Sequence, residues 1–274
     1  MTKILFENGV YFIKHDGWII RSAFQGIFNA SGGTYGVEAL IRCFDVDSGE
    51  SVAPGRVISA ISNPYSPNVF YLINKMHIKN FIELSSDYCG LFLFLNITPS
   101  FFDSIGASPK IKEMVISLIS ETGIKTMFLV AEILETESSQ FLNFNDGISF
   151  IKSTGADTAL DDFGDDSSNI ERYNDISPNI VKISRELYVK SFESNSGIDE
   201  LKHLVSTFHA DGVRVVVEGV EIPEHVRLLF MMGVDYLQGF ALHKPAIYMK
   251  GGAIPISTIL QSHAYSLYTE VSSI

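Results

Sequence analysis

Apolar runs of strand length recur along the chain, and each is followed by polar residues and then by a stretch with helical periodicity. Two runs, at 91–95 and 213–217, are almost continuously apolar, which is typical of strands buried on both faces. The pattern predicts strands at 18–28, 34–44, 91–96, 127–133, 156–163, 179–183, 214–220 and 234–241. It predicts helices at 69–84, 111–120, 138–153, 198–209 and 223–232.

The connection between the first two strands differs from the others. Residues 29–33 (Asn-Ala-Ser-Gly-Gly) are a hairpin-like turn, so we expect these two strands to be antiparallel. The later strands alternate with helices, which favours parallel β/α units. We therefore predict an α/β fold, a TIM-like (β/α)8 barrel with an antiparallel first strand; an open doubly wound sheet is the alternative. The barrel domain would cover 18–246, between an N-terminal segment (1–17) and a C-terminal tail or helix (247–274).

Polar residues lie at or near the carboxyl ends of the predicted strands. They are Glu38, Arg42, Asn96, Glu132, Glu135, Asp161, Asp162, Lys182, Glu218 and Gln238. In a barrel these ends meet at one face, where active sites of this fold lie. Carboxylates crowded there repel one another unless a cation lies between them. Carboxylate and amide oxygens suit Mg²⁺ or Mn²⁺, and two such ions about 4 Å apart are typical of phosphoester hydrolysis.

Each of these residues also has a plainer interpretation when taken alone. A strand Glu can be a salt-bridge partner, and 161–164 (Asp-Asp-Phe-Gly) can be a turn that caps a helix. Lys182 can extend outward to solvent, and Arg42 can pair with Asp45 on the surface. Their joint placement at successive strand ends favours a site, because unrelated residues would be scattered along the strands.

Composition narrows the class of protein. The chain has 274 residues, of which 46% are hydrophobic, and its net charge is −12. It can therefore bury a large core, and we expect no binding to nucleic acid polymers or to anionic membranes. Two cysteines, Cys43 and Cys89, cannot form a disulfide framework. The first residues do not resemble a signal peptide and no apolar run approaches the ~18 residues of a membrane span, so we expect a cytoplasmic protein.

Common catalytic motifs are absent. The sequence contains no P-loop, no dinucleotide-binding glycine motif, no H-E-x-x-H and no G-x-S-x-G. The sequence therefore gives no support for a P-loop nucleotide-binding protein, an enzyme with a dinucleotide cofactor, a zinc hydrolase or a serine hydrolase.

Seven segments, in order, resemble the motifs of the EAL domain family, the bacterial cyclic di-GMP phosphodiesterases. Residues 36–42 contain the Glu-Ala-Leu that names the family, and residues 159–164 resemble its A-L-D-D-F-G. The others are 95–99, 131–135, 181–183, 217–221 and 237–240, which resemble V-N-L-S-P, L-E-I-T-E, L-K-I, A-E-G-V-E and A-Q-G-Y. The resemblance spans about 24–245.

The resemblance implies a barrel with a reversed first strand, two Mg²⁺ or Mn²⁺ ions, and hydrolysis of one 3′–5′ bond of cyclic di-GMP to linear pGpG. Such an activity lowers a second messenger that controls motility and biofilm. A homodimer is also implied. The implied roles are metal binding by Glu38, Asn96, Glu132, Asp161 and Asp162, catalysis by Glu218 and Lys182, substrate binding by Gln25, Arg42 and Gln238, and loop support by Glu135 and Glu221.

Departures from the family pattern leave a second function open. The family has T-G-Y-S-S after the Asp pair motif, whereas this chain has Asp-Asp-Ser-Ser-Asn at 165–169. Ser184 replaces the usual Asp, Gly26 replaces the usual Pro, and 61–70 does not match. The alternatives are a catalytically weak domain that acts as a cyclic di-GMP receptor or protein-interaction module, and a hydrolase of another phosphodiester.

Overall fold

The computed structural model describes residues 2–61, 67–85, 90–134, 142–164 and 169–249. Its strands are β1 (Lys3–Glu7), β2 (Val10–His15), β3 (Trp18–Asn29), β4 (Thr34–Asp45), β5 (Ser51–Val52), β6 (Phe92–Ile97), β7 (Leu129–Ile133), β8 (Asp157–Phe163), β9 (Ile180–Ile183), β10 (Arg214–Val217), β11 (Tyr236–Leu237) and β12 (Ala246–Ile247). Its α-helices are α1 (Pro54–Ile61), α2 (Pro67–Ser85), α3 (Pro99–Ala107), α4 (Pro109–Thr122), α5 (Phe144–Ser153), α6 (Asn169–Ile176), α7 (Arg185–Ser191), α8 (Asn195–Ala210) and α9 (Pro223–Met231). A 3-10 turn, Thr126–Phe128, precedes β7.

Eight strands within these ranges close into a barrel, in the order β3-β11-β10-β9-β8-β7-β6-β4, with β4 pairing back to β3. β3 is antiparallel to both of its barrel neighbours, and the other adjacent barrel strands are parallel. The (β/α)8 barrel with an antiparallel first strand is therefore confirmed, and the open sheet is wrong.

The predicted strands fall on the eight barrel strands, but two of them are too long. β10 ends at Val217: the Glu218 N–H still donates to the Ile183 carbonyl of β9, and Gly219, with a φ of +59°, then turns the chain away. β11 is only Tyr236–Leu237. The sequence reasoning missed the hairpin β1–β2, the strands β5 and β12, and the helices α1, α3, α6 and α7. Within the predicted segment 1–17, residues 3–15 extend the sheet, because β2 pairs with β3 and β1 pairs with β2. Most of the predicted tail, from 250 onward, lies outside the described residues.

The lower interior of the barrel is a packed apolar layer. Its fully buried members are Ile27, Phe94, Val130, Ala159, Ile180 and Val216. Below it, at the amino ends of the parallel strands, the Tyr35 ring stacks on Tyr236 at 3.8 Å and on Phe92 at 4.6 Å between ring centroids. Arg214 closes this end by donating to the Tyr35 hydroxyl and by pairing with Asp157 at 2.5 Å. Side chains therefore fill the amino end of the barrel interior.

A larger apolar layer lies between the barrel and its helices, and it includes Phe102, Tyr188 and Phe208. No helix in the described part of the chain is both long enough and apolar enough to cross a bilayer.

Candidate active site

Lys182, at the carboxyl end of β9, is the centre of a polar cluster inside the barrel mouth. The side chain is 1% exposed, so it does not extend to solvent. Its Nζ lies 2.5 Å from Glu132 Oε1, 2.5 Å from Glu218 Oε1, 3.0 Å from Asp161 Oδ1 and 3.7 Å from Glu38 Oε2. One ammonium group therefore contacts carboxylates from four other strands or strand ends.

A left-handed residue in β8 brings two consecutive carboxylates to the same site. Side chains alternate between faces along a regular strand, so neighbours normally point apart. Here the pairing register shifts between Leu160 and Phe163, and Asp162 has a φ of +51°. Such a bulge redirects a side chain. One oxygen from each of Asp161, Asp162 and Glu218 lies within 4.8 Å of the others. The pair is part of a strand and its bulge.

Two side-chain amides hold the carboxylate of Glu38. Asn96 Nδ2 donates to Glu38 Oε1 at 2.8 Å, and Gln238 Nε2 donates to Glu38 Oε2 at 2.6 Å. The Gln238 amide also donates to Gln25 Oε1 at 3.2 Å, and Gln25 Nε2 donates to the His243 carbonyl at 3.1 Å. The first and last barrel strands are therefore joined by an amide chain that fixes the position of the Glu38 carboxylate.

The pKa values in the cluster follow burial and charge. Burial alone would raise the pKa of Glu38, but the charge of Lys182 and the hydrogen bonds of Asn96 and Gln238 hold it below its usual range. Burial raises the pKa of Glu132 and of Glu218 well above the usual range, and neighbouring carboxylates add to the effect. Burial opposes the charge of Lys182, but the surrounding acids raise its pKa well above the usual range.

The donor set fits divalent cations. Within the described residues, four carboxylates (Glu38, Glu132, Asp161 and Glu218) surround the single ammonium of Lys182. A fifth, Asp162, lies beside Asp161 and Glu218. Glu132 is completely buried, and its Oε2 has no hydrogen-bond partner in that part of the chain. A buried carboxylate oxygen without a partner is costly, so this atom calls for a proton or a cation. Hard oxygen ligands with excess negative charge are the setting in which Mg²⁺ and Mn²⁺ bind.

The other predicted site residues are distributed as follows. Arg42 is half-buried on β4 and donates from Nη1 to its neighbour's carbonyl at 2.9 Å; it forms no ion pair with Asp45 among the described residues. Because Glu38 and Arg42 are four residues apart on one strand, they share a face, with Arg42 nearer the rim. Glu221 is exposed and pairs with Arg185 at 3.1 Å, outside the cluster. Glu135 lies outside the described residues.

Two departures from the family pattern have local explanations. Ser184 is buried and caps α7, because its Oγ accepts from the Leu187 N–H at 3.2 Å. Gly26 donates its N–H to His243 Nδ1 at 3.0 Å, a bond that a proline could not make. His243 thus holds both Gln25 and Gly26. Sequence reasoning missed it, since no motif links residues more than two hundred positions apart.

A cavity of about 410 Å³ adjoins the cluster. Glu38 and Asn96 form its polar end, and apolar side chains of α1, α2 and α3, such as Ile58, Ile73 and Phe101, line the rest. Its volume lies in the range of small-molecule sites.

Comparison with protein families gives one match over most of the chain: the EAL domain model matches residues 16–245. Of the curated relatives, the probable cyclic di-GMP phosphodiesterase PdeI of Escherichia coli K12 is 25% identical over 215 residues. The match covers 77% of this chain and 27% of PdeI. The chain therefore spans about a quarter of the length of that relative.

Solved structures share the fold. The EAL enzyme Bd1971, in a form with cAMP and cyclic di-GMP bound, aligns with a TM-score of 0.74 at 19% identity, over 88% of this chain and 64% of Bd1971. BlrP1 of Klebsiella pneumoniae, solved as a manganese and cyclic di-GMP complex, aligns with a TM-score of 0.72 at 21% identity, over 90% of this chain and 59% of BlrP1.

Proposed function

The chain belongs to the EAL domain family, and we propose that it is a divalent-metal-dependent phosphodiesterase that opens cyclic di-GMP to linear pGpG. The observation that carries this proposal is the arrangement of four carboxylates from separate strands around the buried Lys182. Burying such a set of charges costs folding free energy, and clusters of buried ionisable groups are typical of catalytic sites.

Five side chains would hold the cations. Glu38, Asn96, Glu132 and Asp161 would bind one ion, and Asp161 and Asp162, with Glu218 beside them, would bind the second. When bound, Mg²⁺ or Mn²⁺ would polarise the phosphoryl oxygens and neutralise the charge that develops on the attacking and leaving oxygens. The Asn96–Glu38–Gln238 hydrogen bonds keep the first group of ligands in place before substrate arrives.

Glu218 would accept a proton from the attacking water, and Lys182 would orient it. The pKa of the Glu218 carboxyl is raised by burial, which makes its carboxylate a stronger proton acceptor and suits a group that takes a proton from the attacking water. Lys182 Nζ, 2.5 Å from Glu218 Oε1, would orient the same water and donate to a phosphate oxygen. Both roles need the two side chains at one place, and β9 and β10 are hydrogen-bonded neighbours.

The substrate would lie across the rim. Arg42 would hold a phosphate through its guanidinium, which matches phosphate oxygens in two-point contacts. Gln25 and Gln238 would contact the nucleotide, and the cavity beside Glu38 and Asn96 offers adjoining space. Glu135 and Glu221 would support the loops around the mouth.

A receptor without turnover is the second candidate. Ser184 removes an acid that the family usually has beside the Lys-Ile motif, and residues 165–169 lack the family's usual loop sequence. If the domain is such a receptor, it would bind cyclic di-GMP without releasing product.

Product analysis separates the candidates. Purified protein is incubated with cyclic di-GMP and Mn²⁺ or Mg²⁺, and the nucleotides are identified by mass spectrometry. We expect pGpG, with loss of the product on EDTA addition and in Glu38→Ala. Tight binding of intact cyclic di-GMP with no pGpG under either metal would establish the receptor instead.

We also propose a cytoplasmic location and a homodimer.

A further inference from the structure

The outer edge of β1 has no partner strand within the described part of the chain. β1 pairs with β2 on its inner side only, and its residues Leu5 and Phe6 are 38% and 55% exposed. Open edges of this kind are templates for pairing with another chain. We propose that a second copy of this chain adds its own β1 to this edge, antiparallel, in a register centred on Leu5. The proposal does not depend on the proposed function, because β1 contributes no residue to the barrel mouth.

The hairpin geometry shows which backbone groups of β1 are free. Asn8 and Gly9, with φ values of +52° and +78°, form a two-residue turn that places Glu7 opposite Val10. The residues that flank such a turn exchange both backbone hydrogen bonds, and every second residue along the strand does the same. The backbone groups of Lys3, Leu5 and Glu7 therefore point toward β2. Those of Ile4 and Phe6 point outward, to the open edge.

Asn80 of α2 supports this assignment independently. Its side-chain Oδ1 accepts from the Tyr11 N–H at 2.8 Å, and its Nδ2 donates to the Tyr11 carbonyl at 2.8 Å. The same amide donates to Ser22 Oγ on β3 at 2.9 Å, so it lies on the β3 side of β2. Tyr11 is opposite Phe6 in the hairpin. Since the Tyr11 backbone is bonded on the far side, the Phe6 backbone has no ladder partner in β2.

Only certain registers use the outward groups. In an antiparallel pair of two β1 strands, Ile4 of one copy must exchange hydrogen bonds with Ile4 or Phe6 of the other, or Phe6 with Phe6. The pairing of Ile4 with Phe6 satisfies both residues of both copies. It places Leu5 opposite Leu5, on the two-fold axis, in a closely spaced pair without hydrogen bonds. A single surface patch that complements itself is the usual basis of a symmetric dimer.

Charge selects the same register. Centring on Leu5 places Lys3 of each copy opposite Glu7 of the other, so the contact contains two opposite-charge pairs. Centring on Ile4 would place Lys3 against Leu5, and centring on Phe6 would place Glu7 against Leu5. Within the described residues, Lys3 and Glu7 form no ion pair, and Lys3 lies opposite another cation, Lys14. A second copy would bring an acid to this basic pair despite the net charge of −12.

A pair of cysteine variants tests the register. Leu5→Cys would place two thiols in a closely spaced cross-strand pair, with Cα atoms about 4.5 Å apart, which lies within the disulfide range. Phe6 is more exposed than Leu5, but its counterpart would be Ile4, so the thiols of Phe6→Cys stay apart. We expect mild oxidation to give a linked dimer with Leu5→Cys but not with Phe6→Cys or the unchanged chain. Equal linking of both variants, or no linking of Leu5→Cys, would overturn the register.

Charge inversion tests the pairs. We expect sedimentation equilibrium to show an association constant that falls about tenfold in Lys3→Glu, because two repulsive Glu–Glu contacts replace two attractive ones. The exchange variant Lys3→Glu/Glu7→Lys should restore it. Lys110→Glu on α4 makes the same change in net charge and should have little effect. An association constant that is unchanged by Lys3→Glu, or one that the exchange fails to restore, would overturn the proposal.

Discussion

Lys182 Nζ lies 2.5 Å from Glu132 Oε1, and neither side chain is more than 1% exposed. The pair is therefore sealed from water at the base of the barrel mouth. The second carboxylate oxygen of Glu132, Oε2, has no hydrogen-bond partner in the described part of the chain. Lys182 thus compensates only part of the buried negative charge, and the remainder is available to a cation.

Removing the Lys182 ammonium should both destabilise the protein and stop turnover. In Lys182→Met, the surrounding acids lose their only counter-charge among the described residues, so we expect the metal-free protein to lose about 3–5 kcal/mol of unfolding free energy. Turnover should fall about 100-fold or more. Mn²⁺ should raise the Tm of this variant more than that of the unchanged protein, as seen by thermal denaturation.

A lysine outside the cluster provides the control for that experiment. Lys75, 18% exposed, pairs with Glu121, whose side chain is 49% exposed, so water reaches the carboxylate of this pair. Exposed ion pairs contribute little, so Lys75→Met should shift the unfolding free energy by less than about 1 kcal/mol. Similar losses in both variants would contradict the central position given to Lys182.

Arg42 should act on substrate binding. Its guanidinium forms no ion pair with a described residue, and it shares a face with Glu38 nearer the rim. We expect Arg42→Ala to raise the KM for cyclic di-GMP about 10- to 100-fold with a smaller change in kcat, and Arg42→Lys to recover part of the loss. Steady-state kinetics with separate kcat and KM values checks this. A fall in kcat at unchanged KM would exclude the role.

His77 should make the fold sensitive to acid. Burial lowers the pKa of His77 to about 3, and its Nδ1 lies 3.0 Å from Ser22 Oγ. The unfolded chain takes up the proton near pH 6.5, whereas the folded chain does not until about pH 3. Stability from this residue is therefore complete above about pH 6.5 and falls as the pH drops, by about 1.4 kcal/mol per pH unit.

The Gln variant isolates this effect. Other groups titrate in the same range, but they do so equally in His77→Gln. Chemical denaturation between pH 4 and 7 should give a shallower loss of stability for His77→Gln than for the unchanged chain. Parallel curves for the two proteins would show that His77 is not responsible.

Helices α3 and α5 are in close contact at Gly147, so their packing should tolerate no added methyl group there. An ideal Cβ on Gly147 of α5 would lie 1.9 Å from the Phe102 carbonyl oxygen of α3. We expect Gly147→Ala to cost about 2–3 kcal/mol of unfolding free energy. Gly55 of α1 has no atom within 4 Å of such a Cβ. Gly55→Ala should therefore leave stability unchanged or slightly higher, and a loss as large as that of Gly147→Ala would refute the packing argument.

The positions of the barrel strands were predictable from sequence because apolar runs alternate with polar ends, although β10 and β11 are shorter than predicted. That spacing was enough to place Glu38, Glu132 and Lys182 at one mouth. It could not show that Lys182 contacts four acids, since this depends on barrel closure between distant strands. Nor could it show the left-handed Asp162, because only the bulge in β8 directs Asp161 and Asp162 to one site.

The missed N-terminal hairpin did carry a local signal. Asn8-Gly9 and Asp16-Gly17 are the dipeptides that close two-residue hairpins, and β1 and β2 flank the first of them. α3 likewise begins at Pro99, a residue favoured in the first turn of a helix. The contacts of His243 had no such signal, because they join the two ends of the barrel domain.

Mn²⁺ binding and pGpG formation, followed in the same samples, test whether the acidic cluster works through bound metal. Free Mn²⁺ is measured by electron paramagnetic resonance during a titration at saturating cyclic di-GMP, and product is quantified at each point. We predict that the rate of pGpG formation rises with the fraction of sites filled, and that both are lost in Asp161→Asn. Undiminished hydrolysis in the presence of excess EDTA, or full Mn²⁺ occupancy without product, would show that the cluster is not a metal-dependent hydrolytic site.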